Sequence, residues 1–157
     1  MLRTTLLVLP LLLIGNAVAD AQAVGHRVKV NGLQMYYEVS GRGDPLIVLH
    51  GAYMNIPTMG AIVPKLAASH RVYALELQGH GRTTDINRPI TYQNLADDVA
   101  AFMDAVGLRK ADVFGYSMGA IAGLQLAIRR RLASSSSAPA HTTSRGGSPS
   151  SGRPSRR

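Results

Sequence analysis

The sequence contains no cysteine among its 157 residues. This absence excludes disulfide bonds, a thiolate nucleophile and lipid attachment through cysteine. The chain also has no cluster of metal-ligating residues and no phosphate-binding loop, so it implies neither a metal nor a cofactor. Its length corresponds to one domain.

Acidic residues are absent from the last quarter of the chain. Residues 1–128 contain 10 Lys and Arg against 9 Asp and Glu, whereas residues 129–157 contain seven Arg and no acid. From Arg129 to Leu132 the composition changes abruptly to Ser, Pro, Gly, Arg and Thr, which suggests a shift of reading frame. A segment of that composition cannot bury enough apolar surface to order itself. We therefore predict a disordered tail at residues 131–157.

The N-terminus lacks a hydrophobic run long enough to cross a bilayer comfortably. Its apolar stretch at residues 6–14 follows Arg3, contains Pro10 and precedes small-residue cleavage sites at residues 17–19 and 21–23. Pro10 and these sites argue against a buried N-terminal helix. We predict that residues 1–23 are a signal peptide, that the protein is periplasmic or secreted, and that cleavage leaves no stable membrane span.

The clearest chemical motif is a G-x-S-x-G pattern at residues 115–119, centred on Ser117. An apolar run precedes it, and a helical pattern follows with Ile121, Leu124 and Ile128 at helical spacing. A serine between a strand and a helix in this pattern is typical of a nucleophile elbow. Gly115 and Gly119 are required because the tight turn leaves no room for a Cβ atom on either side of Ser117.

Two further apolar strands end in glycine-rich loops, one at His50-Gly51 and one at Gly79-His80-Gly81-Arg82. Strands followed by helical patterns are βα units of a parallel sheet. Upstream, the sequence of residues 26–39 predicts a β-hairpin with a type I′ turn at Asn31-Gly32. With the three loop motifs in this order, residues 25–130 resemble the α/β-hydrolase family. We therefore expect residues 24–130 to form the N-terminal part of an α/β-hydrolase sheet.

The resemblance implies roles for residues around the elbow. The backbone N–H groups of Ala52 and Met118 would form an oxyanion hole, with Ser117 as the nucleophile. The resemblance gives His50 a role in orienting its loop rather than accepting a proton, and Glu76 and His80 are likewise expected to support loops. The supporting residues of the elbow and its loops are His50, Gly51, Gly115, Tyr116 and Gly119. Another three residues either line an acyl or alcohol pocket or pack in the core: Tyr53, Met54 and Ile56.

Two helices are predicted between these strands. The first covers residues 59–68 and is disturbed by Pro64. The second begins after the N-cap Thr91 and ends at Gly107. Its apolar face consists of Leu95, Val99, Phe102, Met103 and Val106, and the residues predicted to face water are Asp97, Asp98 and Asp104.

The family's remaining catalytic groups are missing. In this family an Asp or Glu and then a His follow the serine, but after Ser117 the sequence has no acid and only His141, which lies in the predicted tail. Three hypotheses follow: a serine hydrolase of small esters or acyl compounds, an inactive truncated product, and a polyanion-binding protein that uses the basic tail. We favour hydrolase ancestry with an inactive, marginally stable chain. The tail has no interleaved aromatic residues, so nucleic acid is not an expected partner.

Overall fold

The computed structural model describes residues 23–136, which contain a five-stranded mixed sheet in the order β1-β2-β4-β3-β5. The predicted signal peptide, except for its last residue, and the tail from residue 137 onward lie outside the described residues. The strands are β1 (Val24–Val30), β2 (Leu33–Ser40), β3 (Pro45–Leu49), β4 (Arg71–Leu75) and β5 (Asp112–Gly115). The helices are α1 (Ile62–Ala67), α2 (Tyr92–Ala105) and α3 (Met118–Ser136).

The predicted hairpin is confirmed, because β1 and β2 pair antiparallel with Val30 opposite Leu33. Asn31 and Gly32 form the turn with φ angles of 47° and 88°. Two consecutive positive φ angles define a type I′ turn, whose twist matches that of the strands it joins.

The remaining strands form the parallel part of the sheet. β3 lies between β4 and β5 and runs parallel to both, while β4 also pairs antiparallel with β2. The chain thus passes from β3 to β4 on one side and returns to β5 on the other side of β3. Such a reversal creates a crevice at the carboxyl ends of the strands, where ligands of open α/β sheets bind.

Helices cover both faces of the sheet. α2 and α3 contact each other and enclose the larger core, in which Leu33, Leu49 and Phe102 are fully buried. α1 covers a smaller core on the opposite face, which includes Val48 and Val72. Strands β3 and β4 are buried on both faces, which explains why their sequences are continuous apolar runs rather than alternating ones.

The predicted first helix is divided into two pieces. A 3₁₀ turn covers Pro57–Met59, and α1 begins only at Ile62. Between them Gly60 has a φ of 53°, outside the helical region. Pro64 lies in the first turn of α1, where a missing backbone N–H breaks no helical hydrogen bond.

The predicted ends of α2 are confirmed, but one of its aspartates was placed wrongly. The hydroxyl oxygen of Thr91 caps the helix by accepting from the N–H of Asn94 at 3.1 Å, and Gly107 follows with a φ of 74°. The prediction that Asp98 faces water is wrong, since this residue is fully buried. It forms an ion pair with Arg88, a partner in the preceding loop that helical periodicity does not reveal.

Helix α3 continues beyond its predicted end at residue 128 to Ser136, so residues 131–136 of the predicted disordered tail belong to this helix. Three of its large apolar residues are substantially exposed, namely Ile121, Leu124 and Ile128. α3 packs against β5, which forms an edge of the described sheet, and Leu124 lines a groove beside that strand. The outer edge of β5 therefore has no partner among the described strands and lies beside an exposed apolar face, an arrangement that favours association with other chains. Within residues 23–136, no helix is both long enough and apolar enough to span a membrane.

Candidate active site

The candidate active site lies at the carboxyl ends of β3 and β5. His50, Gly51 and Ala52 directly follow β3, and the turn that contains Ser117 directly follows β5. These two neighbouring strands border the crevice that the sheet order creates. The topology therefore brings together two motifs that are more than sixty residues apart in the sequence.

Ser117 occupies the strained position that an elbow requires. Its φ is 49°, in the left-handed region that residues other than glycine seldom adopt. A Cβ atom on Gly115 would lie 2.5 Å from the backbone nitrogen of Ala120, and one on Gly119 would lie 2.5 Å from the carbonyl oxygen of Leu49. Glycine at both positions thus allows the turn to pack directly against α3 and the end of β3. The Ser117 side chain is exposed at the top of this turn.

The two backbone groups predicted for the oxyanion hole remain available as donors. Neither the N–H of Ala52 nor that of Met118 donates to a carbonyl among the described loops and turns. Met118 is the first residue of α3, and the first N–H groups of a helix have no acceptor within it. The neighbouring N–H of Tyr116, by contrast, is bonded to the Leu49 oxygen at 3.0 Å.

A cavity of about 480 Å³ joins these residues. Ala52, Ser117 and Met118 all line it. The rest of its wall consists of Ile90, Thr91, Tyr92, Gln93, Leu95 and Ile121. Most of this lining is apolar, which suits a small organic substrate. None of the described residues in the lining is a histidine, aspartate or glutamate.

The segment at residues 90–93 was missed by the sequence analysis. Its place at the cavity follows from the fold, because α2 begins at the same edge of the sheet as the elbow. Thr91 was recognised only as a helix cap. The available signal was the start of α2 after a strand and its loop, because helices that follow parallel strands begin at the carboxyl edge of the sheet.

His50 is buried and links two loops. Its Nε2 accepts from the backbone N–H of Leu77 at 3.0 Å, so its Nδ1 carries the proton and donates to the Gly51 oxygen at 2.7 Å. Burial lowers the pKa of His50, which keeps the ring neutral. Both ring nitrogens have partners within the loops, and His50 does not line the cavity. This arrangement agrees with an orienting role rather than with that of a base.

Glu76 supports the loop after β4, as expected. Its buried carboxylate accepts from the backbone and the guanidinium of Arg82, and from the N–H of Ile56 at 3.3 Å. Burial acts to raise the pKa of Glu76, but these hydrogen bonds outweigh it and the pKa lies below its ordinary value. His80 has a similar local role, because its Nδ1 lies 2.7 Å from the Gln78 oxygen.

A buried polar network anchors the wall of the cavity. Asp98 accepts from Arg88 at 2.6 Å and from the Asn31 amide at 2.9 Å. The amide of Gln78 in turn donates to the carbonyl oxygen of Arg88 at 3.1 Å and to the Asp85 carboxylate at 2.9 Å. The network fixes the loop immediately before residues 90–93 against α2 and the hairpin turn.

Of the two alternatives for the segment after Ala52, the structure favours packing for Met54 and Ile56, whereas Tyr53 fits neither. Ile56 is buried in the smaller core and Met54 packs against it, while Tyr53 is fully exposed. None of the three lines the cavity.

The supporting residues Gly51 and Tyr116 lie against each other, since a Cβ atom on Gly51 would be 3.0 Å from the Tyr116 ring. Among the described residues, no three histidine or acidic side chains lie close enough together to hold a metal ion.

The family model of the alpha/beta hydrolase fold matches residues 44–144. The chain belongs to this family. The match includes β3, β4 and β5 and the loops that follow them, and it therefore contains every residue of the candidate site. The recognition of the fold from three loop motifs is thus confirmed.

Individual relatives are similar to only part of this chain. The acetyltransferase component of the acetoin cleaving system of Cupriavidus necator is 33% identical over 69% of this chain and 29% of its own length. A soluble epoxide hydrolase of Corynebacterium sp. is 32% identical over 60% of this chain and 33% of its own length. The crystal structure of an epoxide hydrolase from Vigna radiata superposes with a TM-score of 0.65 at 26% identity, covering 69% of this chain and 36% of that one. The chain therefore spans about a third of the length of these relatives.

Proposed function

We propose that the chain carries the nucleophile and oxyanion hole of a serine hydrolase that acts on carboxylic esters or related acyl compounds. The observation that supports this most strongly is the cavity shared by the Ser117 turn and the unbonded N–H groups of Ala52 and Met118. Preorganised backbone donors beside an exposed serine are the parts that acyl transfer requires.

In the proposed reaction, the Ser117 oxygen attacks the carbonyl carbon of the substrate and loses its proton to a base. The carbonyl oxygen becomes an oxyanion and accepts hydrogen bonds from Ala52 and Met118. The carbon–oxygen bond to the leaving alcohol then breaks, the alcohol takes up the proton, and an acyl-enzyme remains. Water hydrolyses this ester, which releases the acid and restores the Ser117 hydroxyl.

A serine at this position favours acyl substrates over epoxides, although epoxide hydrolases are among the relatives. Attack of the Ser117 oxygen on an epoxide would produce an ether, which has no carbonyl carbon for water to attack. An acyl-serine has such a carbon and can be hydrolysed. The relative in Cupriavidus necator is named as an acetyltransferase component, which agrees with acyl-transfer chemistry.

The chain by itself is proposed to be a poor catalyst. General-base catalysis contributes roughly 10²–10⁴-fold to such reactions. No base lines the described cavity, and the one histidine after Ser117, His141, lies outside the described residues. The prediction of an inactive chain therefore remains a proposal, as does the alternative of polyanion binding by residues 131–157.

Labelling with a fluorophosphonate tests the nucleophile and the missing base separately. We expect slow labelling of wild-type protein at Ser117, faster labelling when imidazole is added as an external base, and no labelling of this peptide in Ser117→Ala. The labelled residue must be mapped by mass spectrometry because the tail contains many serines. Labelling of other serines alone would refute the assignment of Ser117 as the nucleophile. Fast labelling with ester turnover in the absence of imidazole would refute the proposal that the chain lacks a general base.

Export is a separate proposal that rests on residues 1–23. The expected mature N-terminus lies at residues 20–24, close to the start of β1 at Val24. Expression in a bacterial host and intact-mass measurement of the periplasmic fraction test this. Replacing Leu12 by Asp would interrupt the apolar segment and retain the uncleaved protein in the cytoplasm, and a cytoplasmic wild type would contradict the proposal.

A further inference from the structure

A second and larger groove, of about 730 Å³, lies at the other end of the sheet from Ser117. Its lining includes Ser40 at the end of β2, the glycine-rich loop before β3 and Arg71 at the start of β4. β3 and β4 are parallel, so their first residues lie at the edge opposite the candidate active site. Five residues of extended strand separate the two edges by about 15 Å.

The charges in this groove are of one sign. Arg42 and Arg71 both line it, and no aspartate or glutamate is among its lining residues. Neither arginine forms an ion pair with a described carboxylate, although Arg82, Arg88, Arg129 and Arg130 all do. The nearest acid in the sequence, Asp44, is exposed, and only its backbone oxygen is bonded to the N–H of Arg71, at 3.0 Å.

Three lining residues of the groove carry rings, namely His26, Tyr37 and Tyr73, and two stacking contacts involve them. The guanidinium of Arg71 lies over the Tyr73 ring, 5.5 Å from its centroid. The ring of His26 stacks on Tyr37 with a centroid distance of 5.2 Å. Stacking restricts these side chains, so less conformational entropy is lost when a ligand binds.

The loop that carries Arg42 is also fixed. Gly41 and Gly43 flank it with φ angles of 72° and 110°. A Cβ atom on Gly43 would lie 2.9 Å from the carbonyl oxygen of Ser69, and one on Gly41 would collide with the carbonyl oxygens of Ala67 and His70. The loop therefore packs closely against the segment that leads into β4, and its Arg42 lines the same groove as Arg71.

We propose that this groove binds a small organic oxyanion, a carboxylate or a phosphate that is joined to a flat apolar group. Guanidinium groups bind both kinds of oxyanion through paired hydrogen bonds. The half-buried Tyr37 and the side chains of Val24, Val39 and Val106 provide a surface for the apolar part, so a bare inorganic ion uses only half of the site. The groove is distinct from the Ser117 cavity, since the two share no lining residue.

Isothermal titration calorimetry of the full chain with benzoate, phenyl phosphate, inorganic phosphate and benzyl alcohol tests the proposal. At least one of the two aromatic anions should bind saturably and more tightly than inorganic phosphate, and neutral benzyl alcohol should not bind. The better of benzoate and phenyl phosphate identifies the preferred head group. Arg71→Gln should weaken this binding about tenfold or more, because it removes a charged hydrogen-bond donor.

Arg109→Gln is the matched control, because Arg109 is exposed and lies outside this groove. The variant keeps the basic tail, so any binding of anions by the tail is the same in the control and in the groove variants. It should bind as the wild type does, and so should Ser117→Ala. Circular dichroism establishes that each variant is folded, and Arg42→Gln provides a second test should Arg71→Gln unfold. Equal binding by wild type and folded groove variants would overturn the proposal. So would the absence of saturable binding of both aromatic anions up to about 10 mM.

Discussion

The Nε2 atom of His50 accepts a hydrogen bond from the backbone N–H of Leu77 at 3.0 Å. This bond joins the loop after β3, which carries Ala52, to the segment after β4. Both residues are buried, so the donor has no access to water as an alternative partner. The position of the proposed oxyanion donor thus depends on a histidine that must remain neutral, because a second proton on the ring would remove the acceptor.

The stability of the protein should therefore decrease in mildly acidic solution. Burial lowers the pKa of His50, so the unfolded chain binds a proton at a higher pH than the folded chain does. The free energy of unfolding falls as the pH drops below about 6.5, the ordinary pKa of histidine, and this loss continues down to the lowered folded-state pKa. Urea denaturation at pH 7.5, 6.5 and 5.5, values spaced about one unit apart around that pKa, measures the effect.

His50→Gln is the control for this pH dependence, since glutamine keeps an acceptor for Leu77 and does not titrate. The variant should lose most of the change between pH 7.5 and 5.5, roughly one unit on either side of the histidine pKa. His80, whose ring centroid lies 5.1 Å from that of His50, remains in both proteins. Glu76, whose pKa lies below its ordinary value of 4.5, causes a separate loss of stability in stronger acid in both proteins. An equally steep decline in wild type and variant would contradict the assignment to His50.

Two adjacent aspartates on α2 should differ sharply in their contribution to stability. Asp98 is buried, and its loss would remove the carboxylate that neutralises Arg88 and accepts from Asn31. We expect Asp98→Ala to lower the free energy of unfolding by about 3 kcal/mol. Asp97 forms only an exposed pair with Arg129, so Asp97→Ala should cost about 0.5 kcal/mol or less.

Chemical denaturation of the two variants under identical conditions makes this comparison. Similar values for both would show that the buried pair contributes little. A further variant, Arg88→Met with Asp98→Leu, removes both charges and should be less damaging than Asp98→Ala, because no buried charge is left unpaired.

The sequence predicted those features that depend on local conformational preferences. Asn31-Gly32 specified the hairpin, Thr91 the start of α2, and Gly115 and Gly119 the tight turn around Ser117, because each acts through residues close to it in the chain. The burial of Asp98 was not predictable in this way. Its partners, Asn31 and Arg88, come from two other segments that only the tertiary structure brings to α2.

Some residues of the candidate site were likewise predictable from local motifs, whereas others depend on the tertiary structure. Ser117 and Ala52 were found because their loops carry recognisable glycine motifs. The wall at residues 90–93 has no such motif, and its proximity to Ser117 depends on the path of the chain from β4 to β5 around β3. Periodicity gave Ile121, Leu124 and Ile128 a common helical face, but it could not indicate whether that face is covered.

Gly119→Ala should abolish the labelling of Ser117. The added Cβ atom would lie 2.5 Å from the Leu49 oxygen and 2.6 Å from the His50 oxygen, and both are backbone atoms that cannot rotate away. Gly123→Ala is the control in the next turn of α3. Its Cβ atom would meet a side-chain carbon of Val113 at 3.0 Å, and the partly exposed Val113 can move.

Fluorophosphonate labelling in the presence of imidazole provides the measurement for this pair. Gly123→Ala should label as wild type does, and its stability should change little, because alanine favours a helix over glycine by about 1 kcal/mol and offsets the contact with Val113. Wild-type labelling of Gly119→Ala would mean that Ser117 does not depend on the close contact between the elbow and β3.

Two leucines on α3 provide a test of its exposed apolar face. Leu124 is 60% exposed and lines a groove of about 640 Å³ beside β5, whereas Leu126 is 4% exposed in the larger core. An exposed apolar face beside an unpaired strand edge promotes self-association. Leu124→Lys should therefore reduce aggregation in light scattering without lowering the free energy of unfolding by more than about 0.5 kcal/mol. Leu126→Lys should unfold the chain, because its charge would be buried without a partner.

Unchanged scattering of a folded Leu124→Lys would show that other surfaces cause the association. A stable wild-type monomer with a cooperative thermal transition would contradict the expectation that the chain is marginally stable.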